Sequence, residues 1–349
     1  MEKKRSLTID TYRVIAAALI LLIHTSMINK NGILFYNKAY YYVAITIGRY
    51  CVPIFMVISG YFYFLNPTKQ RKIKILKNTF WLWFIWMIIY LPFGIYKFKQ
   101  LSNNEIIMKL IETFFQSSLN YGGSWYLVAV FWGIIIVDFC VKRNLMRILN
   151  STTIVLFILE NINSTYYYLF RPFSYFAKPG EFCLMFLTGI VWINISYYIV
   201  KYETEIMRFG NIKYVFLAIL LTCCEFLLVN LLVPHYLINS YNGATESFFT
   251  LPFGVICIFL YLINHPVKVR YNRAIILRNL ATLMYFTQFG VVDISIHFIN
   301  FENNFSLLYW QDLIIVTIMS LSIIFFSKLR PFKFIRVLYD PSIIYFKNK

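Results

Sequence analysis

Ten apolar stretches, each about as long as a membrane crossing, run through this chain and leave few folds open to it. They lie near 11–28, 42–64, 79–96, 124–141, 152–169, 181–200, 214–233, 248–264, 279–298 and 308–327. A helix rising about 1.5 Å per residue needs roughly 20 residues to cross the hydrocarbon of a bilayer. Backbone polar groups must be satisfied inside that layer, so such stretches predict helices. Composition agrees, with 60% of the 349 residues hydrophobic, 14% charged and 20% aromatic, the Tyr and Trp gathered at segment ends as interfacial belts require. The expected fold is all-α: a polytopic integral membrane protein of about ten transmembrane helices, one domain over 1–349. The fifth stretch is the weakest, because Glu160, Asn161 and Asn163 interrupt it.

Charge sets the expected topology. The net charge of +18 invites a nucleic-acid reading, but the basic residues sit in short clusters that favour every second loop. With the N-terminus placed in the cytoplasm, 24 of the 33 Lys and Arg fall on inside segments and seven on outside segments, leaving Arg13 and Arg49 within spans. That bias predicts both termini inside and an even number of spans. No nucleic-acid partner is expected; membrane lipids are. The first apolar stretch follows Lys3, Lys4 and Arg5 without a small-residue cleavage site, which predicts a retained span. The basic segment 65–78 reads as an inside loop, either an orientation signal against anionic lipid or a landing site for an anionic cofactor. Residues 97–123 read as an outside loop with a short helix around Glu105 to Phe115. The six cysteines (Cys51, Cys140, Cys183, Cys223, Cys224, Cys257) lie in or beside apolar segments without metal-ligand spacing, so inert thiols are expected and no metal is implied.

Chemistry concentrates in the first two spans. Ionisable groups are costly in hydrocarbon, so a span that keeps an arginine and a histidine is expected to use them. Arg13 and His24 are eleven residues apart. At about 100° per residue this returns them to nearly one azimuth, with an axial offset of roughly 16 Å. The structural alternative is an arginine snorkelling at the helix start and a satisfied core histidine. Asp10 precedes Arg13 by three residues, within reach of an ion pair. Ala16-Ala17-Ala18 permits close packing against a helix or a slender ligand. In the second span Arg49 is expected about a third of the way in from outside, at a depth similar to His24. A cation there keeps the imidazole neutral, as a general base requires, and can stabilise a developing oxyanion. The alternative is an arginine bonded to helix-end carbonyls. Pro53 is expected to bend this helix, and Ser59-Gly60 to leave the backbone open near the cytoplasmic side.

These residues carry a family resemblance. Ile9-Asp10-Thr11-Tyr12-Arg13-Val14-Ile15-Ala16-Ala17 through His24 resembles the first-helix signature of the acyltransferase type 3 membrane family: an arginine, ten residues, then a histidine. Val52-Pro53-Ile54-Phe55-Met56-Val57-Ile58-Ser59-Gly60-Tyr61-Phe62 resembles its second-helix pattern, Ser124-Trp125-Tyr126-Leu127 its aromatic motif, and Leu280 through Gln288 its late-helix pattern. Two positions depart: Ser124 and Gln288 stand where relatives often carry histidine. The first two helices also resemble the membrane part of membrane-bound serine racemases. The chain ends at Lys349 in a basic tail, so no racemase domain is expected.

The resemblance implies a membrane O-acyltransferase. Such proteins move an acyl group, usually acetyl from acetyl-coenzyme A, onto a cell-envelope glycan or polysaccharide, in a multi-pass protein of the bacterial plasma membrane. On that reading His24 is catalytic. Arg13, Asp10, Ser59 and Gly60 are the expected contacts for acyl-coenzyme A, and Arg49, Tyr61, Trp125, Tyr126 and Glu225 those for the acceptor. The imidazole either deprotonates the acceptor or carries the acyl group itself. Trp125 and Tyr126 could equally be belt residues. Glu225 and the pair Asp293 and His297 read first as structural polar packing; Arg171, Lys178, Glu181, His235 and His265 are weaker candidates. The rival function is a transporter or exporter of an envelope precursor. No motif specifies an oligomeric state.

Overall fold

The computed structural model describes residues 4–30, 33–36, 38–92, 102–115, 122–170, 185–232, 246–298 and 305–345. Each of the ten apolar stretches holds a helix, and the fold is all-α apart from two short two-stranded ladders. In chain order the main helices are α1 (Leu7–Thr25), α2 (Lys38–Thr46), α3 (Cys51–Phe64), α4 (Lys69–Ile89), α5 (Asn103–Thr113), α6 (Trp125–Lys142), α7 (Met146–Ile162), α8 (Phe186–Lys201), α9 (Ile212–Leu232), α10 (Leu251–Asn264), α11 (Tyr271–Phe298) and α12 (Phe305–Phe326). Among the described residues, six spans have the length and apolarity to cross a membrane: α1, Ala39–Phe64, α6, α9, Ala274–Ile296 and Leu307–Phe326. α8 and α10 are apolar but shorter. α9 shows where the lipid goes, because Phe216, Leu220, Leu227 and Leu228 are exposed and Leu231 is 83% exposed. A helix that leaves so broad an apolar face uncovered belongs in hydrocarbon, and the chain is a polytopic membrane protein.

Several boundaries differ from expectation. α4 begins ten residues early, so most of the expected basic loop 65–78 is helix. Lys, Gln, Arg and Ile extend a helix readily, and the Thr68 hydroxyl caps it by accepting from the Arg71 N–H at 3.2 Å. The turn itself is confined to Asn66-Pro67. The second span breaks between α2 and α3 into a single 3₁₀ turn, Gly48–Tyr50. α7 starts at Met146 and ends at Ile162, so Glu160 and Asn161, read as interrupting a span, lie in its last turn and are buried there. The short outside helix is present as α5, where the Glu105 carboxylate accepts from the Ser102 N–H at 2.8 Å and its hydroxyl at 2.7 Å.

The chain divides into two compact units, residues 1–51 with 261–349, and residues 52–260. In the first unit, Lys4–Ser6 pairs antiparallel with Lys268–Arg270, and the strands lead directly into α1 and α11. Leu7 N–H donates to the Val267 carbonyl at 2.7 Å, and the Thr8 hydroxyl donates to the His265 carbonyl at 2.7 Å. Both helices therefore start at one end and run side by side in the same direction. Leu21 and Leu22 of α1, Ala44 of α2, Val292 of α11 and Tyr309 of α12 form a buried cluster towards their far end.

In the second unit the closest approach is between α6 and α8. A Cβ on Gly189 would lie 1.9 Å from the Ala129 carbonyl oxygen, and one on Gly133 would lie 2.6 Å from the Gly189 carbonyl oxygen. Ala129 and Gly133 are four residues apart, the small-residue spacing that lets helices meet backbone to backbone. Polar side chains join α7 to α8: Asn194 Nδ2 donates to Asn150 Oδ1 at 3.2 Å and to Thr153 Oγ1 at 3.0 Å.

Candidate active site

One stripe of α1 carries the expected charges. Arg13 pairs with Asp10 at 3.1 Å, and the Asp10 side chain is 1% exposed against 19% for Arg13. Asp10 is sealed beneath the arginine, so the guanidinium is the member of the pair that can meet a ligand. Ala16 and Ala17 are fully packed, as small residues beneath a neighbouring helix should be. His24 sits in the last turn of α1, because the helix stops at Thr25 rather than running on to residue 28. Its ring packs on Phe289 of α11, with centroids 4.4 Å apart and planes tilted by 54°.

Arg49 reaches the same place from another element. It was expected within a continuous helix and instead occupies the Gly48–Tyr50 turn. Pro53 has no N–H to offer the Arg49 carbonyl, and its ring crowds that carbonyl, so the α-helical ladder cannot run through this point. Gly48 sets the approach: a Cβ there would lie 3.0 Å from Ile23 Cδ1 and 3.4 Å from the Leu19 carbonyl oxygen. The turn that carries Arg49 is thus pressed onto α1 at Ile23, the residue before the histidine. Nearer the start of α1, the Tyr12 side chain is hydrogen-bonded to Cys51, which is fully buried. A neutral imidazole with a cation beside it can take a proton from a hydroxyl and steady negative charge on a nearby oxygen.

Sequence reasoning did not single out Phe289, Gly48, Tyr12 or Cys51. A glycine directly before an intramembrane arginine is the signal that could have found Gly48. Phe289 directly follows the late-helix pattern, whose last residue, Gln288, is fully buried. Gln288 Nε2 donates to the Tyr285 carbonyl at 3.1 Å.

The other six expected residues belong to the second unit, and the structure gives several of them partners of their own. Gly60 does not leave an open backbone. Its missing Cβ would fall 1.9 Å from Ser196 Oγ, because α8 packs directly onto it. The Ser59 hydroxyl donates back to the Phe55 carbonyl at 2.9 Å. The Tyr61 hydroxyl donates to Glu203 at 3.0 Å, with its ring edge on Phe259. Trp125 and Tyr126 open α6 partly exposed, the Tyr126 ring 6.3 Å from Phe55. Ser124 is buried, its hydroxyl 3.5 Å from the Met87 sulfur.

Glu225 has a structural job in full view. One carboxylate oxygen accepts from the Tyr166 hydroxyl at 2.8 Å and the Phe249 N–H at 2.7 Å. The other accepts from the Thr250 N–H at 2.9 Å. Those amides lie immediately before α10, so a carboxylate from α9 caps the positive end of its neighbour. Glu225→Gln turns one acceptor oxygen towards the amides as an NH₂ group. A loss of about 1–3 kcal/mol is expected from the unsatisfied donors. It is read as a lower melting temperature in detergent, and an unchanged one would remove the capping role.

Among the weaker candidates, Asp293 is exposed on α11, and exposed His265 lies over the Tyr261 ring at 4.3 Å. Arg171, Lys178, Glu181, His235 and the side chain of His297 lie outside the described residues.

Comparison with known proteins gives two findings. A family model described as "Acyltransferase domain" matches residues 7–328, which include both units' principal helices. A serine/alanine racemase of Enterococcus gallinarum is 25% identical over 132 residues, covering 36% of this chain and only 18% of that protein. No solved structure matches.

Proposed function

The chain belongs to the acyltransferase domain family whose model spans residues 7–328, and on that premise we propose that this membrane acyltransferase moves an acyl group, first of all acetyl, from cytoplasmic acyl-coenzyme A to a hydroxyl of a cell-envelope glycan. The observation that carries the reading is the packing of the Gly48–Tyr50 turn, which holds Arg49, on α1 at Ile23. The imidazole set against Phe289 and the guanidinium of that turn come from separate elements of one unit. The charge bias of the loops supports both termini inside, and a bacterial plasma membrane is the proposed location.

The first unit suits a long polyanionic donor at its other end. The ladder of Lys4–Ser6 with Lys268–Arg270 lies where α1 and α11 begin, and Arg13 follows two turns into α1. Arg13 is proposed to meet a phosphate of coenzyme A there, with the thin arm reaching from it towards His24. When bound, the donor supplies an activated thioester carbonyl. His24 then accepts the proton of the acceptor hydroxyl as its oxygen bonds to that carbonyl carbon. Arg49 steadies the negative charge on the carbonyl oxygen. As the carbon–sulfur bond breaks, His24 returns the proton to the departing sulfur, so the products are an ester and a free thiol.

The test is thiol release. Purified protein in lipid nanodiscs is given acetyl-coenzyme A and candidate glycan acceptors one at a time, and free coenzyme A is followed with a thiol reagent. Release that depends on the acceptor is the expected result. Movement of the glycan across sealed vesicles that contain no thioester would replace the enzyme reading with transport.

A further inference from the structure

Within residues 52–260, a cavity of about 270 Å³ opens among the last turns of α3, α6 and α8. Its lining is mostly apolar, formed by Phe64, Pro67, Val141, Tyr197 and Val200, and it also includes Asp138, Lys142 and Lys201. The charges here do not balance. Asp138 is 3% exposed, and its Oδ2 receives both Lys72 Nζ at 2.7 Å and Lys142 Nζ at 2.9 Å. Its Oδ1 is taken by the Tyr63 hydroxyl at 2.6 Å. One carboxylate therefore holds two ammonium groups against each other. Lys201 adds a third, held 5.2 Å from the centre of the Tyr202 ring. Against one Asp138, these three lysines leave a surplus of two positive charges.

We propose that this cavity binds the headgroup of an anionic phospholipid, its phosphate at Lys142 and Lys201 and the start of an acyl chain against Phe64, Val141 and Val200. Lys142 and Lys201 end α6 and α8, and Lys72 lies in the first turn of α4, on the side that the charge bias assigns to the cytoplasm. That leaflet carries the anionic lipids, and each lysine near its surface adds to their attraction. A mostly apolar lining that also includes two lysines matches a molecule with a charged head and a hydrocarbon tail. Pockets for small organic ligands start at about 300 Å³. At 270 Å³ this one suits a headgroup and a few methylenes rather than a whole nucleotide cofactor. The site uses none of the residues assigned to donor or acceptor, so it stands or falls apart from the acyl-transfer reading.

Retention of lipid by the whole protein tests it. Delipidated protein is titrated with phosphatidylglycerol or phosphatidylcholine, and bound lipid is counted by native mass spectrometry. One phosphatidylglycerol is expected to be retained in preference to phosphatidylcholine. Lys142→Gln and Lys201→Gln should each weaken that retention roughly fivefold. Lys213→Gln, the same loss of charge at exposed Lys213 outside the cavity, should change it less than twofold. Equal retention by wild type and the double variant overturns the site. So does loss to the same degree in Lys213→Gln, which would mean diffuse attraction. Displacement of the lipid by inorganic phosphate or by coenzyme A at equal concentration assigns the cavity to a soluble phosphate and overturns the lipid.

Discussion

His24→Ala is expected to lower acyl transfer by roughly 10²- to 10⁴-fold, the range lost with a positioned general base. The protein should remain folded and membrane-inserted. The imidazole lies in the last turn of α1 and its ring contact is with Phe289, so the change removes one aromatic pair. Such a pair contributes about 0.5–1.5 kcal/mol beyond its buried area. The buried Leu21, Leu22, Val292 and Tyr309 still join α1 to α11 and α12. Arg49→Gln should also lose activity, because the group proposed to steady the oxyanion is gone. If both residues serve one step, the double variant will lose much less than the product of the two single losses. The assay is acceptor-dependent thiol release, normalised to monodisperse protein. Normal transfer by His24→Ala would end the proposed mechanism, and a multiplicative double variant would separate Arg49 from the proton-transfer step.

The depth of what could be read beforehand follows the range of the interactions. Helix count and class depend on apolar length, which is local, and each of the ten stretches holds a helix. The Arg13–Asp10 pair is also local, fixed by spacing along one helix face, and it is present at 3.1 Å. Helix ends were harder. Hydropathy marks where lipid begins, whereas α4 starts where Thr68 offers a cap, outside the apolar stretch. The Gly48–Tyr50 turn depends on Pro53 withholding a hydrogen bond and on α1 receiving Gly48; the first is visible in sequence and the second is tertiary. The open backbone expected at Gly60 fails for that second reason, and the partners of Glu225 are out of sight for the same one. A glycine looks open until Ser196 fills the space over it. Glu225, read first as structural polar packing, finds its acceptor role only when the Phe249 and Thr250 amides are placed against it.

Gly189→Val is expected to be the most disruptive single change to the fold. The clash is with backbone: a Cβ on Gly189 falls 1.9 Å from the Ala129 carbonyl oxygen, 2.5 Å from its carbon and 3.0 Å from its Cα. No rotamer relieves this, so α6 and α8 must separate. The separation also spoils the Gly133 approach and weakens close packing, which in lipid is the main attraction between helices. A destabilisation on the order of 3 kcal/mol, at the upper end of the overpacking range, follows, with a sharp loss of monodisperse protein in detergent. Gly48→Ala supplies the contrast. Its added methyl meets the Ile23 side chain at 3.0 Å, and that side chain can yield where a carbonyl cannot. Size-exclusion profiles and melting temperatures should therefore place Gly189→Val far below Gly48→Ala. If the two variants melt together near wild type, α6 and α8 do not meet backbone to backbone, and the small-residue crossing is not what holds that unit together.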